Sequence, residues 1–293
     1  MFEKLLGNEN VKKNLTYAIE NQNILHSYLF IGIEGIGKKL FARDFAKKIL
    51  CLEKVLTEDN CKSCLEFENN NNPDFIEVEP EDGKTIKIDQ IRYIEQKILE
   101  KPIISDRKVY IINNCETMTK EAQNCLLKTL EEPPEFVTII LITSNESKIL
   151  STIKARCMKV PFIPISEQEI RKNMEADISD SMLQACNGSI GKLLKIKDKK
   201  QTYEQIEKLI EDMKSKDLLD IIKQAEIIYK EKEDIQDILE YINQILLNKK
   251  SIQYIELVSC IENAKRKILA SSNYDMTIDE LIMKMWANIH NKV

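Results

Sequence analysis

Over residues 1–160 the apolar positions follow two periods in turn. Short, densely apolar runs at 26–31 (HSYLFI), 74–80 (DFIEVEP), 108–113 (KVYIIN) and 136–143 (FVTIILIT) read as strands, and CMKVPF as a short fifth. The runs between them carry apolar residues three and four apart. Leu40, Phe41, Phe45, Ile49 and Leu50 make one side of a helix over 38–50, and IDQIRYIEQKIL and TKEAQNCLLKTLEEPP repeat that spacing. Thr119 is placed to cap the last of these, and Pro133 with Pro134 ends it. KVYIIN is apolar throughout, as a strand covered on both faces must be. The alternation predicts an α/β domain on a parallel sheet.

From about residue 166 the strand period disappears. SEQE at 166–169 resembles a capping box, and a small helical piece follows, ending in NGSIGKLLKI. Beyond residue 200 Gly and Pro are almost absent. There YEQIEKLIEDM, LLDIIKQAEIIYK, IQDILEYINQILL, IQYIELVSCIENAKRKIL and TIDELIMKMWANI predict five helices, whose Leu and Ile stripes read as packing surfaces. The expected division is therefore an α/β domain over 1–160, a small helical domain over 161–199 and an all-α domain over 200–293. KDKK at 197–200 reads as a solvated hinge, and YKEKED at 229–234 as a loop and helix start.

Composition narrows the classes. A chain of 293 residues, 43% of them hydrophobic, can bury a large core in two or three domains. The net charge of −5 supplies no global basic field, so any contact with DNA needs a local patch or partner subunits. MFEKLLGNENVKKNL mixes charges into its apolar residues, unlike a secretion signal. FVTIILIT is far shorter than the roughly 20 residues a membrane span takes. The expected compartment is cytoplasmic and reducing, with few or no disulfides among the eight Cys and no membrane partner.

Candidate chemistry begins at GIEGIGKK, residues 32–39, directly after the first strand. It nearly matches G-x-x-x-x-G-K-[ST], the loop whose backbone N–H groups hold phosphates at a helix N-terminus. Gly32, Gly35 and Gly37 can form that loop, and Lys38 can reach the phosphates. The last position is Lys39, a cation where a Mg²⁺-ligating hydroxyl belongs. The plainer alternative is a strand-to-helix turn with glycine at positive φ.

LGNENVKKNL, HSYLFIGIEGIGK, NPDF, CLLKTLEEPP and ARC occur in that order along the chain. Together they resemble the bacterial clamp-loader subunits of DNA polymerase III, members of the AAA+ ATPase superfamily, and within them the delta-prime branch. The resemblance is strong over the first 195 or so residues, with LLKTLEEPP its most specific piece. Over the C-terminal helices it rests on length and pattern. It implies a Rossmann-like AAA+ (P-loop NTPase) domain over 1–160, a helical lid over 161–199 and a helical collar over 200–293. The collar would join delta and gamma/tau subunits with this one in a pentameric ring that loads the sliding clamp onto primer-template DNA. This subunit would be the stator, a rigid scaffold. The rival expectation is an active ATPase, a gamma/tau-like motor. A direct DNA-binding module has no basic or aromatic stripe in its favour.

The resemblance also sorts the site residues. The family's acidic pair after the third strand, which holds Mg²⁺ and polarises water, falls on Asn113 and Asn114, and neither amide can ionise. Glu116 stands at a later position of that motif and is not a substitute. The second-sensor Arg falls on Gly191, beside Lys192, while Thr143, Ser144 and Asn145 can keep the first-sensor role. Four losses imply a chain without ATP hydrolysis and without a Mg²⁺ site. Retention of ATP or ADP on Gly32, Gly35, Gly37, Lys38 and Thr143 stays open. ARC resembles the family's SRC, so Arg156 is implied as an arginine finger acting in trans, worth roughly 10³–10⁵ in rate. The alternative is an Arg capping a helix C-terminus. The family's four-Cys zinc module falls on 51–64, where Cys51, Cys61 and Cys64 match and Glu58, with Asp59 beside it, stands near the missing Cys. A carboxylate can complete a zinc site; the alternative is a degenerate module of thiols without metal. Neither His26 nor His290 is placed as a ligand.

Overall fold

Five of the apolar runs become strands: β1 (Ser27–Ile31), β2 (Phe75–Val78), β3 (Lys108–Ile112), β4 (Val137–Thr143) and β5 (Met158–Pro161). They form one parallel sheet in the order β2-β3-β4-β1-β5, with Ser27 opposite Ile139 in the central β1–β4 pair and Tyr110 opposite the same Ile139 from β3. This is a computed structural model, and it describes residues 1–54, 60–81, 84–174, 178–248, 252–270 and 272–290. The chain forms two compact units, Met1–Glu169 and Ile170–Val293.

The first unit holds α1 (Glu9–Glu20), α2 (Lys38–Leu50), α3 (Lys62–Glu68), α4 (Ile88–Ile98), α5 (Lys120–Glu131) and α6 (Ser151–Lys154). Successive side chains of a strand point to opposite faces, so each central strand feeds two cores. Tyr28, Phe30, Ile111, Ile140 and Ile142 pack with Leu15 of α1 and Phe41 and Phe45 of α2. Leu29, Tyr110, Ile112, Ile139 and Leu141 pack with Ile91 and Ile94 of α4 and Leu126 of α5 on the other face. A sheet buried on both sides explains why β3 and β4 carry no exposed residue. Thr119 caps α5 as expected, its hydroxyl accepting from the Ala122 N–H at 3.2 Å.

α7 (Glu167–Asn173) spans the boundary between the units, and at its start in SEQE the Ser166 Oγ accepts from the Glu169 N–H at 3.3 Å. The described residues of the second unit are helical: α8 (Asp180–Cys186), α9 (Ile190–Asp198), α10 (Lys200–Asp212), α11 (Leu218–Gln224), α12 (Glu226–Lys230), α13 (Ile235–Asn248), α14 (Ile252–Leu269) and α15 (Tyr274–His290). The run LLDIIKQAEIIYK, expected as one helix, is two. The chain turns tightly at Ala225, whose carbonyl accepts from the Ile228 N–H at 2.9 Å, so that Ile221, Ala225 and Ile228 are all buried. KDKK is the junction of α9, which ends at Asp198, and α10, which begins at Lys200, and it is not simply solvated: Lys199 between them is held by Glu231 at 2.5 Å and Asp234 at 2.6 Å.

Candidate functional site

The loops at the carboxyl ends of parallel strands are where α/β sheets bind ligands. Here that edge gathers the turn after β1, Glu79 after β2, Asn113 and Asn114 after β3, and Ser144 after β4. Gly35 and Gly37 take φ of +72° and +97°, and Gly37 caps α2, so the strand-to-helix turn uses glycine where side chains fit poorly. Gly32 serves a different need. A Cβ there would lie 2.9 Å from Phe162 Cβ and 3.0 Å from the Phe162 carbonyl oxygen.

The two lysines that follow are both engaged. Lys38 is buried, and its ammonium donates to the Gly32 and Ile33 carbonyls, each at 2.7 Å. It thus folds back on the loop that would present it to a phosphate. Burial pushes the Lys38 pKa down, with the charges of Glu116 and Glu34 opposing. Lys39 lies 2.6 Å from Glu79 Oε1, and 3.0 Å from Glu77 Oε1 in an ion contact. Burial works against its charge, yet the two carboxylates prevail and raise its pKa. Asn113 Nδ2 donates to the same Glu79 oxygen at 2.8 Å. The hydrogen bonds from Lys39 and Asn113 hold Glu79 below the usual carboxylate range.

Glu116 accepts from the Ser144 N–H at 3.0 Å and from the Ser144 hydroxyl. Burial pushes its pKa up, but the bonds from Ser144 prevail and lower it. Its Oε2 is buried without a hydrogen-bond partner. Thr143 is buried, and its hydroxyl accepts from the Asn145 N–H at 3.0 Å, closing a turn. Asn114 takes a left-handed conformation at the start of a 3₁₀ turn, and its carbonyl accepts from both the N–H and the hydroxyl of Thr117.

Arg156 stands between α6 and β5. Its guanidinium donates to the Thr152 carbonyl at 2.9 Å and to Glu131 Oε1 at 2.6 Å. The Thr152 bond is the helix-capping contact of the plainer reading. Both members of the ion pair keep solvent access, at 34% and 50% exposure, so the pair can open at small cost.

Cys51, at the end of α2, and Cys61 and Cys64, at the start of α3, converge: their Sγ atoms all lie within 4.8 Å of one another. Tetrahedral zinc with Zn–S of about 2.3 Å would set its sulfurs roughly 3.8 Å apart, so this donor set fits zinc after a small inward movement. Glu58 and Asp59, the candidates for a fourth ligand, lie outside the described residues. None of the eight Cys is in a disulfide.

A family model described as DNA polymerase III, delta subunit, matches residues 7–166, just over half of the chain. The chain belongs to this clamp-loader family. Its matched region covers the whole sheet, the 32–39 loop, the three clustered Cys and Arg156, and ends before the second-sensor position at Gly191. The DNA polymerase III subunit delta' of Bacillus subtilis is 37% identical over 174 residues, covering 59% of this chain and 53% of that protein. The subunit tau of the same organism is 36% identical over 191 residues, covering 64% of this chain and 34% of that protein. The clamp-loader chain thus spans about half the length of the first relative and a third of the second. A gamma subunit-related protein of DNA polymerase III from Thermotoga maritima has the same fold at a TM-score of 0.57 and 21% identity, covering 95% of this chain and 99% of its own. The first unit is accordingly an α/β domain on a parallel sheet, followed by a helical C-terminal region. No helix among the described residues is long and apolar enough to cross a membrane.

Glu77, Glu79 and Glu131 are the partners that the sequence reading passed over. Glu77 and Glu79 sit two apart around the end of a strand, a spacing that puts both carboxylates on one side, opposite Lys39.

Proposed function

We propose that this chain is a delta-prime-type stator of the clamp loader, which helps place the sliding clamp on primer-template DNA without hydrolysing ATP itself. The observation that carries this reading is the Lys39 ammonium bound to Glu79 and Glu77, with the Asn113 amide on the same Glu79. A fixed cation occupies the loop position that in a working site contributes a Mg²⁺-ligating hydroxyl, and an amide stands where a carboxylate would hold the metal. Lys38, tied to its own loop carbonyls, supports the same reading. The rival reading, a gamma/tau-like motor, draws on the similar identity to tau. In the stator reading a helical lid (161–199) and collar (200–293) join this subunit to delta and gamma/tau subunits in a ring. Arg156 opens its pair with Glu131 and reaches a neighbour's γ-phosphate, where its planar fork of donors offsets developing charge. Cys51, Cys61 and Cys64 hold a structural zinc, completed by Glu58 or Asp59.

The test is Mg²⁺-dependent ATP hydrolysis by the purified chain, alone and with candidate motor subunits. The chain alone is expected to show no turnover above background, and Lys39→Thr, Asn113→Asp and Asn114→Glu are each expected to restore none singly. Turnover that disappears with Lys38→Ala would overturn the stator reading in favour of the motor.

A further inference from the structure

NPDF takes no part in the nucleotide or finger chemistry, yet it is built into a buried polar network. Asn72 Nδ2 donates to the Ser63 carbonyl at 3.0 Å and to Ser63 Oγ at 2.9 Å. Ser63 Oγ and Ser105 Oγ are 2.9 Å apart, and Ser105 Oγ donates to the Leu50 carbonyl at 2.8 Å. A hydroxyl has one proton. Ser105 gives its proton to Leu50, so Ser63 donates to Ser105, and the bonds run one way from Asn72 through Ser63 and Ser105 to Leu50. Asn72 Oδ1 accepts from the Asp74 N–H at 2.9 Å. The Asp74 carboxylate then accepts three backbone N–H groups, those of Ile103 and Ile104 at 2.7 Å and of Ser105 at 2.8 Å. None of the four side chains is more than 9% exposed.

Two members of this relay adjoin thiols. Leu50 precedes Cys51, and Ser63 lies between Cys61 and Cys64. The three sulfurs come from two helices, so their convergence depends on whatever holds the end of α2 against the start of α3. The relay does this through the loop between α4 and β3. We propose that Ser63, Asn72, Asp74 and Ser105 are positioning residues for a thiophilic divalent cation at Cys51, Cys61 and Cys64, and that cation binding and the closure of the 103–105 backbone on Asp74 stabilise each other. The proposal rests on the metal reading of the thiols. Because coupling between two sites is reciprocal, what the relay adds to cation affinity the cation returns to the loop.

The test uses the full chain and zinc. Zinc affinity is measured by competition with a chromophoric chelator, and amide exchange at 103–105 is followed by mass spectrometry with and without zinc. Asp74→Asn and Ser105→Ala are expected to weaken zinc about tenfold or more with all three thiols intact. Zinc is expected to slow exchange at 103–105 in the wild type and not in Cys61→Ser. A merely structural relay would leave zinc affinity unchanged in both variants, and that result overturns the proposal while the metal reading stands. A wild-type chain that binds no zinc overturns both. Should Asp74→Asn fail to fold, Ser105→Ala and the wild-type exchange measurement decide the matter by the same criteria.

Discussion

Lys39 and Glu79 form a half-exposed ion pair whose worth depends on pH in a defined direction. The Glu79 pKa is lowered in the folded chain by the bonds from Lys39 and Asn113. A lowered carboxylate contributes stability above its unfolded pKa, and that contribution is lost as pH falls through the folded value. With both side chains over 40% exposed, solvent limits the pair to about 0.5 kcal/mol. Lys39→Ala, which removes this pair and the Glu77 contact, is therefore expected to lose about 0.5–1 kcal/mol at pH 7 and to approach the wild type as pH falls through the folded Glu79 value, as read by urea unfolding at neutral pH and along a series of acid pH values. Arg156 gives a second residue-scale expectation. Arg156→Ala removes one exposed ion pair and one capping bond, so the isolated chain should lose no more than about 1 kcal/mol. In assembled complexes the same variant should lower DNA- and clamp-stimulated ATP hydrolysis at one motor site, and Arg156→Lys should rescue it poorly. Unchanged hydrolysis and clamp loading would leave Arg156 as a helix cap.

At the scale of elements, the turn from β1 into α2 depends on two glycines for two reasons. Gly37→Ala puts a side chain at φ +97° and should cost about 1–2 kcal/mol. Gly32→Ala drives a methyl into the backbone and Cβ of Phe162, which cannot swing aside as a flexible tip would, and should cost about 1–3 kcal/mol. Thermal or urea unfolding measures both, and neutral behaviour at position 32 would mean that the loop and β5 can part. Much of this unit was legible beforehand, because strands buried on both faces advertise themselves: KVYII and VTIILIT leave little else to be. The helix over 38–50 was legible from its apolar spacing alone. α1 was not picked out, since Val11, Leu15 and Ile19 are a thin stripe among charges, nor was α3, too short to show a period. The break at Ala225 left no mark because no Gly or Pro makes it; tertiary packing does. In the site, Lys39 and the two Asn were visible as departures from a motif. The binding of Lys39 and Asn113 to Glu79 was not, since it joins residues 34 or more apart, and neither was the Asn72 relay, whose members come from four separate segments.

For the whole molecule, the single Trp offers a local reporter. Trp286 belongs to the second unit, where its indole donates to the Lys216 carbonyl at 3.0 Å and stacks on the His290 ring at 4.1 Å. Its fluorescence should follow the second unit alone, while far-UV ellipticity sums both. In urea the two signals are expected to give transitions that do not coincide, and superimposable curves would mean one cooperative molecule. The sheet order has a consequence of another kind, for synthesis. β1 pairs only with β4 and β5, so SYLFI emerges from the ribosome more than a hundred residues before its first partner strand exists. At roughly 5–20 residues per second that wait is on the order of 5–20 s. For that interval an interior strand of the finished sheet is an unpaired apolar segment of a nascent chain, and the stretch of messenger between the two strands becomes the place where translation speed and chaperone access bear most on yield.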